Sequence, residues 1–182
     1  MQSTGTALID PKLIFAKIKL TTGMRVADFG CGRTGHLVFP SAQIVGEEGI
    51  VYAVDIVKNI LQSIQSMSRD EGYNNIKTVW SDIELYGKTP IMGKSLNAVY
   101  FINVLCQLKN RQNAIKEAVR LLQKNGFLVI IDWVKKLSSL GPAPDKMISP
   151  EEITRWSGDL GARKFFQDQI NDYNYCVIYR VL

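Results

Sequence analysis

The sequence predicts an α/β fold: a Rossmann-like, seven-stranded mixed sheet, mostly parallel, with an antiparallel C-terminal hairpin and helices on both faces. Three observations predict it. Short β-branched runs alternate with helical patterns along most of the chain, as a parallel sheet wrapped by helices requires. Residues 26–35, reading VADFGCGRTG, carry a strand into a glycine-rich turn and then into a helix. The last two apolar runs are joined by Asn171-Asp172 alone, too short for a crossover, so they must pair antiparallel.

Each element follows from its residues. Residues 1–20 form an N-terminal helical segment in which Asp10 is the N-cap and Pro11 the first helical position, leading Leu13, Ile14 and Ile18. Met24–Phe29 is the first strand, His36–Val45 a helix and Gly49–Asp55 the second strand. Over Val57–Arg69, Ile60, Leu61, Ile64 and Met67 recur at helical spacing. Ile76–Trp80 and Ala98–Ile102 are the next strands. Arg111–Gln123 is an amphipathic helix stopped by Asn125-Gly126, and Phe127–Trp133 is an apolar fifth strand. Val134–Ser149 holds Gly141, Pro142 and Pro144, lacks periodicity, and reads as a loop that could serve as a lid. Ser149-Pro150-Glu151-Glu152 is a capping box opening a helix to about Leu160. Lys164–Ile170 and Tyr173–Leu182 are the hairpin strands.

Composition bounds the function. At 182 residues the chain is one domain, 1–182, by the rule of ~150 residues per domain. A hydrophobic share of 46% excludes disorder. The longest uncharged run, Ser95–Leu108, is shorter than the ~20 apolar residues of a helical membrane span. With 22 basic and 17 acidic residues the net charge is +5, but the cations are scattered, so nucleic acid stays a possible partner and not the favoured one. Cys31, Cys106 and Cys176 are odd in number and far apart, which reads as reduced thiols in the cytoplasm; no export signal is visible. One histidine and three dispersed cysteines make no metal site.

The glycine-rich turn carries the chemistry. Gly30, Gly32 and Gly35 form G-x-G-x-x-G between strand and helix, where backbone can approach a ligand closely. The second strand ends at Asp55, placed to accept from both hydroxyls of a ribose. Asp28, two residues before Gly30, would repel a diphosphate but suits an ammonium and a sulfonium. The third strand runs into Ser81-Asp82, where an adenine amino group could be met. Three acids at successive strand ends fit S-adenosylmethionine better than a nicotinamide dinucleotide.

These segments, with Asn103-Val104-Leu105, Leu121–Gly126 and Ile130-Ile131-Asp132-Trp133, resemble class I S-adenosylmethionine-dependent methyltransferases, nearest the small UbiE-like group with a generic methyltransferase domain. The resemblance extends through Gly141–Pro144 and Ser149–Glu152 to Tyr173-Asn174-Tyr175. It implies that Asp28 and the backbone of Gly30, Cys31 and Gly32 hold the methionine end, with Gly35 closing the turn. Asp55 would hold the ribose, Ile56 would face the adenine, Asp82 with Ile83 would frame it, and the Asn103 backbone would meet the amino-acid portion. The family has a single residue between the second and third glycines, whereas Arg33 and Thr34 both stand here.

The expected reaction is in-line transfer of the methyl group to a nucleophile of a small molecule, helped mainly by alignment and exclusion of water. Candidates for a catalytic role are His36, Asp132 and Tyr173. His36 and the tyrosines have plainer readings: loop packing or a backbone contact for His36, and edge packing for Tyr173 and Tyr175. Cys31 reads as a small apolar residue fitting the turn. Residues 1–9 and the 134–149 loop are expected to cover the acceptor. An RNA methyltransferase of the fibrillarin-like or tRNA type, suggested by Val45–Tyr52, and a non-catalytic binding protein are the alternatives.

Overall fold

The computed structural model describes residues 9–136 and 141–182. Its elements in chain order are α1 (Pro11–Ile18), β1 (Arg25–Phe29), α2 (Val38–Val45), β2 (Ile50–Asp55), α3 (Lys58–Asp70), β3 (Ile76–Trp80), β4 (Leu96–Ile102), α4 (Arg111–Leu121), β5 (Leu122–Trp133), α5 (Pro150–Asp159), β6 (Ala162–Gln169) and β7 (Asn174–Val181). All seven strands share one sheet in the order β3-β2-β1-β4-β5-β7-β6. The first five are parallel to their neighbours. β7 runs antiparallel to both β5 and β6, as the short joint before it demands.

Alternation along the strands builds two cores. In β4, Val99 and Phe101 face one side with Ala114, Ala118 and Ile153 of α4 and α5. Ala98, Tyr100 and Ile102 face the other, with Phe15, Val38 and Ile64 of α1, α2 and α3. Central strands buried on both faces carry continuous apolar runs for this reason. No described helix is long and apolar enough to cross a membrane.

Three local departures from the expected boundaries have physical causes. The helix expected from His36 begins at Val38, because residues 31–37 are spent on the turn and Pro40 must lie in the first helical turn. The α4 helix stops at Leu121, before the expected Gln123: Leu122 already pairs with Leu96. The chain then bulges, with Asn125 at φ 66° and Gly126 so close that an added Cβ would lie 2.9 Å from the Gln123 carbonyl. The hairpin turn takes in residues 170–173, wider than the two expected, because Asn171 Oδ1 accepts from the amides of Tyr173 (2.8 Å) and Asn174 (2.9 Å). The Asp10 cap and the Ser149–Glu152 capping box form as read. Of the two expected acceptor-covering segments, residues 1–8 and 137–140 lie outside the described part.

Candidate functional site

Strand order reverses between β1 and β4, and ligands of open α/β sheets bind in the crevice outside the carboxyl ends at such a switch. β1 ends at Phe29, and the chain turns away through Gly30 at φ 74° and Gly32 at φ 65°, backbone conformations that favour glycine. Gly30 also lies against β4's continuation: a Cβ there would meet Val104 Cγ2 at 2.7 Å. The amides of Gly30 (2.8 Å) and Cys31 (3.1 Å) both donate to the Val54 carbonyl, tying the loop to β2.

A cavity of about 370 Å³ opens at this point. Six of the residues expected to hold a cofactor line it: Gly30, Gly32, Asp55, Ile56, Asp82 and Ile83. Asp55 Oδ1 accepts from the Val57 amide (2.9 Å) and Oδ2 from the Gly32 amide (3.4 Å), so the acid is aimed by the two loops it joins. The Ile56 carbonyl accepts from the Trp80 indole N–H (2.8 Å), which holds the half-exposed Ile56 side chain at the rim. Asp82 Oδ1 caps the following turn by accepting from the Glu84 amide (2.9 Å).

The remaining four lie behind the wall. Asp28 is 3% exposed and takes no hydrogen bond from the described residues. Burial, with the nearby Asp55 charge adding to it, raises its carboxyl to about 7. Cys31 is buried, and burial with the charges of Asp28 and Asp55 pushes its thiol well above the ordinary range, which removes it as a nucleophile. Gly35, at φ 56°, is a packing position: a Cβ would meet Phe39 and Ile64 at 2.8 Å. Asn103 sits at φ 57° just past β4, where its carbonyl accepts from Gln107 Nε2 (2.7 Å) and its Oδ1 from Asn174 Nδ2 (2.9 Å).

The candidates for a catalytic role are not brought together at the cavity. The His36 Nε2–H donates to the Ile9 carbonyl (2.6 Å), a backbone tether. Asp132 is fully buried, and its carboxylate accepts from the amides of Trp133 (2.9 Å) and Cys106 (3.2 Å). Burial raises its carboxyl to about 6, with those two donors holding it down. Tyr173 sits in the hairpin turn with the Lys135 ammonium 5.2 Å above its ring.

Among the lining residues the sequence reading missed, Val104, Gln107 and Leu108 form one side of the cavity wall. They belong to a short turn after β4 that no periodicity announces. It also missed the clamp behind Asp82. Glu117 of α4, its side chain fully buried, accepts from the amides of Gly87 (2.7 Å) and Thr89 (2.9 Å) and pairs with Arg120 (2.7 Å). Burial alone would raise the Glu117 carboxyl, but these donors together lower it to about 2. Ser81 Oγ meets Thr89 Oγ1 at 3.0 Å, so the clamp fixes the start of the same loop.

A family model described as a methyltransferase domain matches residues 20–165. The aklanonic acid methyltransferase DauC of Streptomyces sp. (strain C5) is 38% identical over 66 residues, 36% of this chain and 30% of that protein. The ubiquinone/menaquinone biosynthesis C-methyltransferase UbiE of Coxiella burnetii is 29% identical over 118 residues, 64% of this chain and 46% of the relative. The chain thus spans less than half the length of these curated relatives. A SAM-dependent methyltransferase from Aquifex aeolicus shares the fold, with a TM-score of 0.85 over 100% of this chain and 94% of that one at 23% identity.

Proposed function

The chain belongs to the methyltransferase-domain family, and on that footing we propose that it transfers the methyl group of S-adenosylmethionine to a nucleophilic atom of a small molecule. One observation carries the reading: Asp28 is a buried acid that takes no hydrogen bond from the described residues, directly behind the glycine loop. A buried carboxylate without a donor is costly, and an arriving ammonium would supply the missing partner. The residues present therefore fit the cofactor.

When bound, S-adenosylmethionine supplies an electrophilic methyl on a positively charged sulfur, which needs aligning more than it needs a strong base. The chain's own residues do the aligning. Asp28 holds the charge that meets the ammonium, and the Gly30–Gly32 backbone leaves room for the methionine end. Asp55 accepts from ribose hydroxyls, Ile56 and Ile83 present apolar faces to the adenine, and Asp82 receives its amino group. Asn103, whose amide donates to the Ile131 carbonyl and whose carbonyl accepts from Gln107, holds the turn after β4 beside the amino-acid portion. Well-oriented reactants can gain ~7–11 kcal/mol in this way.

A small acceptor is supported by the activities that the relatives' names carry and by the scattered cations. The three buried free thiols support a reducing compartment, the cytoplasm. Calorimetric binding of S-adenosylhomocysteine tests the reading: the wild-type chain binds, and Asp55→Ala weakens binding at least tenfold. Binding that survives Asp55→Ala unchanged would overturn it.

A further inference from the structure

We propose that Glu117, a residue of α4 outside the cofactor cavity, is the positioning residue that makes the cavity selective for a base with an exocyclic amino group. The role rests on the methyl-transfer reading, in which Asp82 meets the adenine amino group. Glu117 does not line the cavity; it acts through the segment that follows Asp82.

That segment is strapped to α4 at two points. Glu84 Oε1 accepts from the Asn110 amide at the start of the helix. Two helical turns on, ~10 Å away, Glu117 accepts from the amides of Gly87 and Thr89, and Arg120 Nη2 donates to the Thr89 carbonyl (3.1 Å). The Thr89 hydroxyl adds to the donors that hold the Glu117 carboxylate, and it also meets Ser81 Oγ at 3.0 Å. One hydroxyl therefore links Glu117 to the residue beside Asp82.

The hydrophobic core does not hold this stretch. Leu85 and Tyr86, the large apolar side chains of residues 84–89, are 53% and 48% exposed. Its place is set by directional hydrogen bonds. Glu117 is fully buried, and Arg120 matches both of its oxygens at 2.7 and 2.8 Å. A buried ion pair adds little net stability over apolar packing of the same volume. What it supplies here is fixed direction.

Direction matters at Asp82. Its Oδ1 accepts from the Glu84 amide (2.9 Å), whereas Oδ2 takes no hydrogen bond from the described residues and is open to a donor. Hydrogen bonds weaken steeply as donor and acceptor leave line. A displaced Asp82 therefore fails the amino group of the base. The ribose and the methionine end are met by Asp55 and the glycine loop, which the Glu117 clamp does not touch.

The test titrates the full chain by calorimetry with S-adenosylhomocysteine and with its analogue carrying hydrogen in place of the adenine amino group. The wild type prefers the amino-bearing ligand by about tenfold or more, the worth of a hydrogen bond to a charged acceptor. Glu117→Gln keeps the size of the side chain but turns one of its acceptors into a donor. It cuts the preference to about threefold or less and changes affinity for the analogue by less than about twofold. Thr89→Val keeps the Thr89 amide on Glu117, removes the hydroxyl that reaches Ser81, and narrows the preference as well. It decides the matter if Glu117→Gln does not fold. Lys116→Ala, which removes the ammonium 4.6 Å above the Tyr86 ring, leaves both affinities within twofold. Equal weakening of the two ligands, the mark of a merely structural residue, overturns the role, as does an undiminished preference in both clamp variants. A wild type that binds the two ligands alike removes the role together with the assignment of Asp82, and one that binds neither brings down the methyl-transfer reading as well.

Discussion

Asp28, near the end of β1, and Asp132, near the end of β5, are both buried acids at the carboxyl edge of one sheet, and the chain treats them in opposite ways. Asp132 is given two backbone donors, Cys106 and Trp133, and joins the turn after β4 to the end of β5. Asp28 takes none from the described residues and lies near the Asp55 charge. Burial raises both, to about 6 and about 7 respectively. On the proposed reading, the difference separates an acid that completes the fold from one held ready for a ligand: the described residues give donors to the first and would leave the second to be matched by a bound cation. That distinction demotes Asp132 from a catalytic candidate to a structural clamp and makes Asp28 the informative residue of the pair.

The largest expected effect comes from removing the clamp. Asp132→Ala leaves two buried amides without an acceptor, at ~1–3 kcal/mol each, so urea unfolding should lose about 2–6 kcal/mol. Asp132 titrates higher in the folded chain than in the unfolded one. Its contribution is therefore complete below the unfolded value near 4 and shrinks as pH rises through about 6. The loss should be larger at pH 5 than at pH 8. S-adenosylhomocysteine affinity at pH 8 should stay within threefold; a tenfold loss in a folded variant would erase the contrast with Asp28.

Asp28→Asn should reverse both signs. At pH 8 the wild-type side chain carries a buried charge with no donor among the described residues, so its removal should raise apo stability by roughly 1–3 kcal/mol. The same change should cost at least tenfold in S-adenosylhomocysteine affinity, since that ligand keeps the ammonium group. A variant that is less stable, or that binds as tightly as the wild type, breaks the comparison.

A smaller effect sharpens it further. Asp28 has a folded value of about 7 against an ordinary 3.8, so its share of apo stability is full below about 4 and is lost as pH rises through 7. Binding of an ammonium-bearing ligand runs the other way, because it needs the ionised acid. S-adenosylhomocysteine affinity should therefore rise between pH 6 and pH 8, by up to about tenfold per unit at the steepest. In Asp28→Asn that slope should vanish.

The same pair shows what was legible in the residues. Strand alternation, the glycine turn and the acids at strand ends are local patterns, and they placed the sheet, its antiparallel edge and six cavity-lining residues. Asp28 and Asp132 look alike in sequence, each following an apolar run. Only the turn after β4 distinguishes them, because Cys106, 26 residues before Asp132, brings its amide across the seam. The Glu117 clamp joins residues up to 30 apart and carries no local signature for the same reason. Gly35 failed differently. The G-x-G-x-x-G spacing groups three glycines, yet Gly35 is needed for contact with Phe39 and Ile64 and does not border the cavity.

The smallest expected effect concerns His36, the chain's one histidine and so the first suspect for proton transfer. In the structure its Nε2–H is committed to the Ile9 carbonyl at 2.6 Å, and the ring does not line the cofactor cavity. A general base must reach the proton it removes, and this one is already donating to backbone. His36→Phe keeps ring packing and removes the donor, so it should cost about 1 kcal/mol, the worth of an ordinary hydrogen bond. It should leave S-adenosylhomocysteine affinity within twofold. A fall in affinity of tenfold or more, with the fold intact by circular dichroism, would return His36 to the site and show that the Ile9 tether opens when ligand binds.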